Sequence, residues 1–268
     1  MKAISFELSG KTACFRKPDV NSYAYFTYNN IHKPALLGLL GAIIGLGGYT
    51  QLHNKKESLK EKIKELKGKE KKQLQEELLK IEDEYPEFYE KLKDLKVSIT
   101  PLAPHGYFSK KIQVFNNSVG YASKELGGNL IVREQWLENP KWKIIILDNK
   151  SKEYQKIKEY LLAKKSVFIP YLGKNDHITN ISEVVEVELG EKIENRGLSS
   201  LFIENSCEIS SGKPRGELSY MFREVSPIRL QKEYHFYEYE ALVFTNHIVV
   251  LREYKDIYSY RNKNYFFI

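Results

Sequence analysis

The stretch KPALLGLLGAIIGLGGYT, Lys33 to Thr50, is the most apolar segment of this 268-residue chain and constrains its fold most strongly. Its apolar run from Ala35 to Gly48 is about 14 residues long, whereas a helix needs roughly 20 to cross a bilayer. The pattern therefore predicts a core helix that begins near Pro34, a residue suited to a first helical turn, and ends at a glycine pair. We expect no membrane partner.

The segments on either side of this helix predict a mixed α+β fold. Ala3 to Ser9 alternates apolar and polar side chains, which indicates a half-buried strand before the helix. The segments LIVREQWL and WKIIILDN predict later strands, Ser151 to Lys164 has helical spacing, and VVEVEL alternates again. The order strand, helix, two strands, helix, strand is typical of ferredoxin-like and RRM-like domains.

Two domains and two insertions are predicted along the chain. Residues 1–190 form the RRM-like domain, and residues 191–268 form a smaller β-rich C-terminal domain. Within the first domain, residues 53–96 are an inserted charged helical arm. Residues 116–129 are a polar, glycine-bearing excursion between two strands.

The inserted arm has the composition of a solvated helical hairpin. From Lys55 to Lys80 it contains ten lysines and six glutamates, and apolar residues recur every three or four positions. We expect the hairpin to bend near Gly68 and Pro86. Because the glutamates offset much of the lysine charge, we expect packing by the apolar stripe rather than direct RNA binding.

Charge and cysteine content limit the functional classes. The formal net charge of +7 and the pI of about 9.0 favour an anionic partner, such as a nucleic acid or an anionic membrane surface. Cys14 and Cys207 cannot form a disulfide scaffold and suit a reducing cytosol. The first ten residues alternate and do not form the apolar region of a signal peptide. We therefore expect a cytoplasmic protein.

Motifs for a cofactor, a metal or a nucleophile are not predicted. Gly10-Lys11-Thr12 imitates the end of a phosphate-binding loop, but Ser5 stands where the first glycine is required. The six histidines have no metal-ligand spacing with one another or with the cysteines. The RNA-binding signature of a standard RRM is also missing, so a ligand is expected to bind through loops and insertions.

Basic residues mixed with aromatic residues are the strongest functional signal. Arg and Lys supply phosphate contacts, while Tyr and His can stack on splayed bases. The first cluster abuts the amino terminus of the predicted helix, where backbone N–H groups favour a phosphate. The candidate RNA-binding residues are Arg16, Lys17, Tyr25, Tyr28, His32, Lys33, Lys110, Lys111, Arg133 and Lys174.

Four stretches, in order, resemble the CRISPR-associated Cas-five family, whose members are RAMP-type subunits of type I Cascade complexes. They are FELSGKTACFRKP, KPALLGLLGAIIGLGGY, GYASKELGGNLIVREQWLENPKWKIII and SVFIPYLGKNDHITNI, and they extend over about the first 180 residues without the insertion. The resemblance implies a subunit that binds the 5′ handle of CRISPR RNA and caps the backbone filament. It also implies partners, namely the Cascade backbone subunit and the large subunit, with target DNA met only within the complex. Residues 116–129 would be the family's thumb.

Three hypotheses about function follow. The first is a non-catalytic RNA-binding subunit. The second is a metal-independent endoribonuclease that processes precursor RNA, because one subtype of the family cuts RNA with a tyrosine, a lysine and a histidine. Here His105, Lys110, Lys111 and Tyr28 supply those residue types, but no adjacent Lys-His pair is present. The third is a scaffold whose charged arm binds protein.

Overall fold

The structure is a computed structural model that describes every residue except 20–22, 83, 118–123, 125–129, 194–196, 211–217 and 253–255. The helices are α1 Lys33–Ile44, α2 Tyr49–Glu65, α3 Lys69–Glu82, α4 Glu87–Leu92 and α5 Lys152–Leu162. The strands are β1 Lys2–Ser9, β2 Thr12–Ala13, β3 Val97–Pro101, β4 Lys110–Asn117, β5 Leu130–Glu138, β6 Lys141–Leu147, β7 Asn180–Glu188, β8 Phe202–Ile203, β9 Cys207–Ile209, β10 Met221–Leu230, β11 Tyr237–Thr245, β12 Val249–Leu251, β13 Ile257–Tyr260 and β14 Lys263–Phe266. The predicted mixed α+β class is confirmed.

Four strands form an antiparallel sheet in the order β3-β6-β1-β7. The central strand β1 places Phe6 opposite Ile144 of β6 and Ser5 opposite Val185 of β7. Along the chain, β1 is the first of these four strands and is followed by α1, and β6 is the third and is followed by α5. The two helices contact each other.

The alternation of β1 separates two apolar clusters. Ile4, Phe6 and Leu8 are fully buried in the main core together with residues of α1 and α5. Ala3 lies on the opposite face of the sheet, in a smaller cluster that Phe267 also joins. The strand predicted to be half-buried is therefore covered on both faces, because the chain after β13 returns over the second face.

Helix α1 is the core helix predicted from the apolar stretch. Pro34 occupies its first turn, and the helix ends at Gly45, whose φ of 80° lies in the left-handed region that glycine adopts most readily. The end therefore comes about three residues earlier than the glycine pair that the sequence indicated. Among the described residues, no single helix is long and apolar enough to cross a membrane. Helices α1 and α2 together have the length and composition of a membrane span, but they form a pair that is bent by 72°.

The predicted arm consists of α2, α3 and α4. Helix α2 begins at Tyr49 and ends before Gly68, whose φ is 76°, and α3 begins directly after that glycine. Pro86 precedes α4 as its N-cap residue. The helices of the arm are thus interrupted at both positions where the sequence predicted a bend.

The strands after residue 197 pack against the first half of the chain. Phe202 of β8 and Leu242 of β11 belong to the same apolar cluster as Leu36 of α1. The side chain of Tyr89 in α4 accepts a hydrogen bond from the Leu230 N–H at 2.6 Å. The core is therefore continuous across residue 190, and the division into two domains remains a prediction.

Candidate nucleic-acid interface

The segment between β2 and α1 folds against the edge of β5. The Tyr25 N–H donates to the Arg133 carbonyl at 2.9 Å, and the Gln135 N–H donates to the Tyr25 carbonyl at 2.8 Å. Residues 15–17 pair in turn with residues 26–28, since the Lys17 N–H donates to the Phe26 carbonyl at 2.8 Å. These backbone bonds bring together basic and aromatic side chains from segments more than 100 residues apart.

Two arginines lie over two tyrosines at this edge. The Arg16 Cζ is 3.4 Å from the centre of the Tyr25 ring, and the Arg133 Cζ is 5.2 Å from the centre of the Tyr23 ring. Because Tyr23 and Tyr25 are two residues apart, their Cα atoms lie within about 7 Å of each other. We call Arg16, Tyr23, Tyr25 and Arg133 the arginine–tyrosine cluster.

The chemistry of the arginine–tyrosine cluster suits a phosphate and an unstacked base. A guanidinium that stacks through its face keeps the N–H donors on its edge, and these donors match a phosphate in bidentate geometry. The Tyr23 side chain is 66% exposed, so a large part of its surface faces solvent. Exposed aromatic rings with nearby cations are the platforms on which single-stranded nucleic acids stack.

Lys17 and Lys110 lie near a carboxylate, that of Glu224. Glu224 accepts the Asn29 N–H with both oxygens, at 2.9 and 3.0 Å. Burial raises the pKa of Glu224 although that hydrogen bond and the two lysines lower it. Burial also lowers the pKa of Lys110, against the opposing effect of Glu224. The sequence analysis missed Glu224 because it comes from β10, far along the chain.

Lys111 and Lys174 lie on the other face of the β4–β5 hairpin. Lys110 and Lys111 are consecutive in β4, so their side chains point to opposite faces. The Lys111 Nζ is 5.9 Å from the centre of the Trp136 ring. The Lys174 Nζ donates to both Glu134 oxygens, at 2.9 and 2.8 Å. The charge of Lys174 is thus already balanced by Glu134, another residue that the sequence analysis missed.

Glu134 is held as a carboxylate inside the hairpin. Its side chain is only 6% exposed, and the Trp136 Nε1–H donates to it at 3.0 Å. Burial alone would raise the pKa of Glu134, but the hydrogen bonds from Lys174 and Trp136 outweigh it and the pKa falls. The sequence offers one sign of this role of Glu134. It is the only acid in LIVREQWL and shares a strand face with Trp136.

Two candidate residues, His32 and Tyr28, are buried, and a third, Lys33, is half-buried. His32 is 3% exposed, caps α1 by accepting the Ala35 N–H on Nδ1 at 3.2 Å, and has a pKa lowered by burial to about 3. The Lys33 Nζ donates to the Ile268 carbonyl at 3.1 Å, and burial lowers the pKa of Lys33 to about 8. Tyr28 is 3% exposed, and burial raises the pKa of its phenol strongly. The amino terminus of α1 is therefore closed to a phosphate.

The structure brings the residues suggested for RNA cleavage only partly together. The Lys17 Nζ is 5.1 Å from the centre of the Tyr28 ring, and Lys17 and Lys110 both lower the pKa of Glu224. His105 is exposed, and its ring centre lies 4.8 Å from that of Tyr220. Tyr28 is buried, while Lys110 and Lys111 lie on opposite faces of the hairpin. Among the described residues, no group of three or more His, Cys, Asp or Glu side chains is placed to hold a metal ion.

The predicted thumb, residues 116–129, lies almost entirely outside the described residues. The strands that lead into it, β4 and β5, pair from Lys110 opposite Leu137 to Asn117 opposite Leu130. Asn116, Asn117 and Lys124 are the described members of the segment.

No protein-family model and no curated protein sequence matches the chain. Several solved structures that are similar to it come from CRISPR systems. One is a chain of a CRISPR RNA-guided surveillance complex, with 11% identity, a TM-score of 0.48, and coverage of 93% of this chain and 91% of that chain. Another is a CRISPR protein from Archaeoglobus fulgidus, with 12% identity, a TM-score of 0.45, and coverage of 99% and 98%. A third is a chain of the Type III-B Cmr-beta complex bound to cognate target RNA and AMPPnP, with 12% identity, a TM-score of 0.39, and coverage of 93% and 86%.

Proposed function

We propose that this chain is a non-catalytic RNA-binding subunit of a type I CRISPR Cascade complex, which binds the 5′ handle of CRISPR RNA and caps the backbone filament. The observation that carries the RNA-binding part is the arginine–tyrosine cluster, in which two guanidinium groups and two phenol rings meet at one strand edge. The four motifs that resemble the Cas-five family supply the identity of the RNA.

The strand order supports the RAMP-type assignment. In a ferredoxin-like domain the order across the sheet is second, third, first and fourth strand, all antiparallel, with helices after the first and third. The order β3-β6-β1-β7, with α1 after β1 and α5 after β6, supports a ferredoxin-like arrangement. The β4–β5 hairpin between the second and third strands occupies the position of the proposed thumb.

The partners follow from the same proposal. The subunit contacts the Cascade backbone subunit and the large subunit in the cytoplasm, and it meets target DNA only within the complex. The burial of Tyr28, which is only 3% exposed, supports the non-catalytic part. Precursor RNA that is incubated with the pure protein at high concentration, with and without EDTA, is expected to stay intact; a discrete cleavage product would contradict this part.

Replacement of both arginines tests the RNA-binding part. The variant Arg16→Gln/Arg133→Gln is expected to weaken handle-RNA binding at least tenfold and to lower the slope of log K against log salt by about 1.4, since each contact to a single strand contributes about 0.7. The matched control is Lys150→Gln/Lys152→Gln, which removes the same charge at exposed positions near α5. Equal losses in both variants would mean that net charge alone drives binding, and the assignment would be wrong.

A further inference from the structure

The turn between α2 and α3 carries much of the net positive charge of the chain. Residues 60–72, which we call the arm tip, contain seven lysines and three glutamates, a net charge of +4 against +7 for the whole chain. Six of these lysines are exposed. Within the described part of the chain, Lys60 alone among the seven forms an ion pair, with Glu57 at 2.9 Å.

Charge is segregated along the arm. Residues 76–90, which lead back to the body of the protein, contain seven acidic residues and one lysine. An evenly solvated helical face mixes both signs, and neighbouring opposite charges then stabilise the helices. The arm tip instead places like charges close together, which costs helix stability unless an anion neutralises them.

The arm tip lies at the far end of a helical pair that packs chiefly on itself. Helices α2 and α3 pack against each other, and Leu59 and Ile81 are the buried residues of this pair within the described chain. The base of the arm is fixed by the Gly47 N–H, which donates to the Glu87 carboxylate at 2.9 Å. The 17 residues of α2 rise about 25 Å from that base, so the lysines can reach a ligand that lies outside the body.

The residue types at the arm tip define the chemistry of its ligand. Residues 60–72 contain no aromatic residue and no arginine, so the tip offers neither a stacking platform for bases nor a planar fork for bidentate contacts. Lysine ammonium groups act as point charges toward phosphates. Ile63 and Leu66 are only partly exposed, so the tip lacks the broad apolar face that inserts into a membrane surface.

We propose that the arm tip binds the phosphate backbone of double-stranded nucleic acid, irrespective of its sequence. A duplex keeps its bases stacked inside and presents one phosphate charge per roughly 1.7 Å of helix axis, which suits a ligand-binding element made of lysines alone. This surface is separate from the arginine–tyrosine cluster and does not depend on the handle-binding proposal. The earlier expectation that the arm does not contact nucleic acid directly would then apply to single strands only.

Neutralisation of the arm tip in the full-length protein tests this proposal. The variant Lys62, Lys64, Lys67 and Lys69→Gln keeps residues with similar helix propensity. Binding of a short DNA duplex of arbitrary sequence is followed by anisotropy between about 50 and 200 mM salt. It is expected to weaken at least tenfold and to lose about 3.6 units of salt slope, about 0.9 for each lysine. The matched control is Lys150, Lys152, Lys164 and Lys165→Gln, which removes the same charge at exposed positions around α5 and is expected to change affinity less than twofold.

A gain-of-function variant keeps the proposal testable if the first variant folds poorly. Glu61, Glu65 and Glu70→Gln removes the three acids of the arm tip and is expected to tighten duplex binding. Handle-RNA affinity serves as the second readout. It is expected to stay unchanged in both tip variants and to fall in Arg16→Gln/Arg133→Gln. That double variant is expected to keep its affinity for the duplex. Three outcomes would overturn the proposal. They are equal losses of affinity in the tip and control variants, no duplex binding by the wild type at about 50 mM salt, and tip-dependent binding of anionic vesicles but not of duplex.

Discussion

Replacement of Lys174 tests whether this lysine stabilises the fold rather than binds RNA. Its ammonium donates to both oxygens of Glu134, whose side chain is 6% exposed, while the lysine side chain is 32% exposed. In Lys174→Met, Glu134 keeps one of its hydrogen bonds, that from Trp136. Removing one partner of a fully buried pair costs about 3–5 kcal/mol. Because one end of this pair reaches water, which screens it, we expect a loss of about 2 kcal/mol in the free energy of unfolding.

Urea unfolding followed by circular dichroism measures this loss, and Glu134→Gln with the double variant completes a thermodynamic cycle. We expect a coupling energy of about 1–2 kcal/mol. The pKa of Glu134 is lower in the folded state than its usual value. Its contribution is therefore present above the unfolded carboxyl pKa of about 4.3 and is lost as the pH falls through the folded value, so the variant and the wild type converge in acid.

The same variant separates stability from RNA binding. Because the Lys174 charge is engaged by Glu134, handle-RNA affinity and its salt slope are expected to stay at wild-type values. A variant as stable as the wild type that binds RNA more weakly would refute the reasoning. Lys174 would then be a phosphate contact, as the sequence analysis had it.

Three other predictions concern the core and the interface. His32 has a pKa lowered to about 3, so below about pH 6.5 the unfolded state binds a proton that the folded state does not. The wild type should therefore lose about 1.4 kcal/mol of unfolding free energy per pH unit between roughly pH 6 and 4. His32→Asn, which retains a capping side chain, should flatten that slope in urea titrations, and an unchanged slope would contradict burial of the imidazole. Gly41→Ala should lower stability by about 1–2 kcal/mol, because its Cβ would lie 2.6 Å from the Phe88 Cβ. The Cβ of Gly38→Ala would lie 3.7 Å from the nearest atom of the Phe88 ring, so this variant should raise stability by up to about 1 kcal/mol. Thermal unfolding that ranks these two variants the other way would refute this packing of α1. Tyr23→Leu should weaken handle-RNA binding by about 1–3 kcal/mol, the usual contribution of one base stack, and an unchanged Kd would remove that ring from the site.

The local patterns of the sequence predicted the elements near the site but not their surroundings. The alternation of Ala3 to Ser9 and the apolar stretch after Pro34 correspond to β1 and α1. The burial of His32 could not be predicted in this way, because the ring that lies 5.2 Å from it belongs to Tyr237, about 200 residues later. Long-range packing of that kind leaves no periodic trace in the sequence.

Side-chain pairing was equally hidden. The sequence placed Lys174 among possible phosphate ligands because it is a basic residue close to the aromatic Tyr171. Only the fold brings Glu134 to it across 40 residues. The basic–aromatic composition of residues 16–33 grouped Arg16 with Tyr25 without predicting a contact between them, and the structure places the Arg16 guanidinium over the Tyr25 ring. The stacking geometry itself depends on backbone bonds to β5, which composition does not specify.

Crosslinking of the handle RNA tests whether its bases lie against the arginine–tyrosine cluster. A 5′-handle RNA that carries 4-thiouridine, irradiated with the full-length protein and analysed by peptide mass spectrometry, reports which side chains lie against its bases. We predict crosslinks at Tyr23 and Tyr25, which Arg16→Gln/Arg133→Gln should abolish. Crosslinks confined to the Lys111 and Trp136 face of the hairpin, or to the arm, would contradict the account.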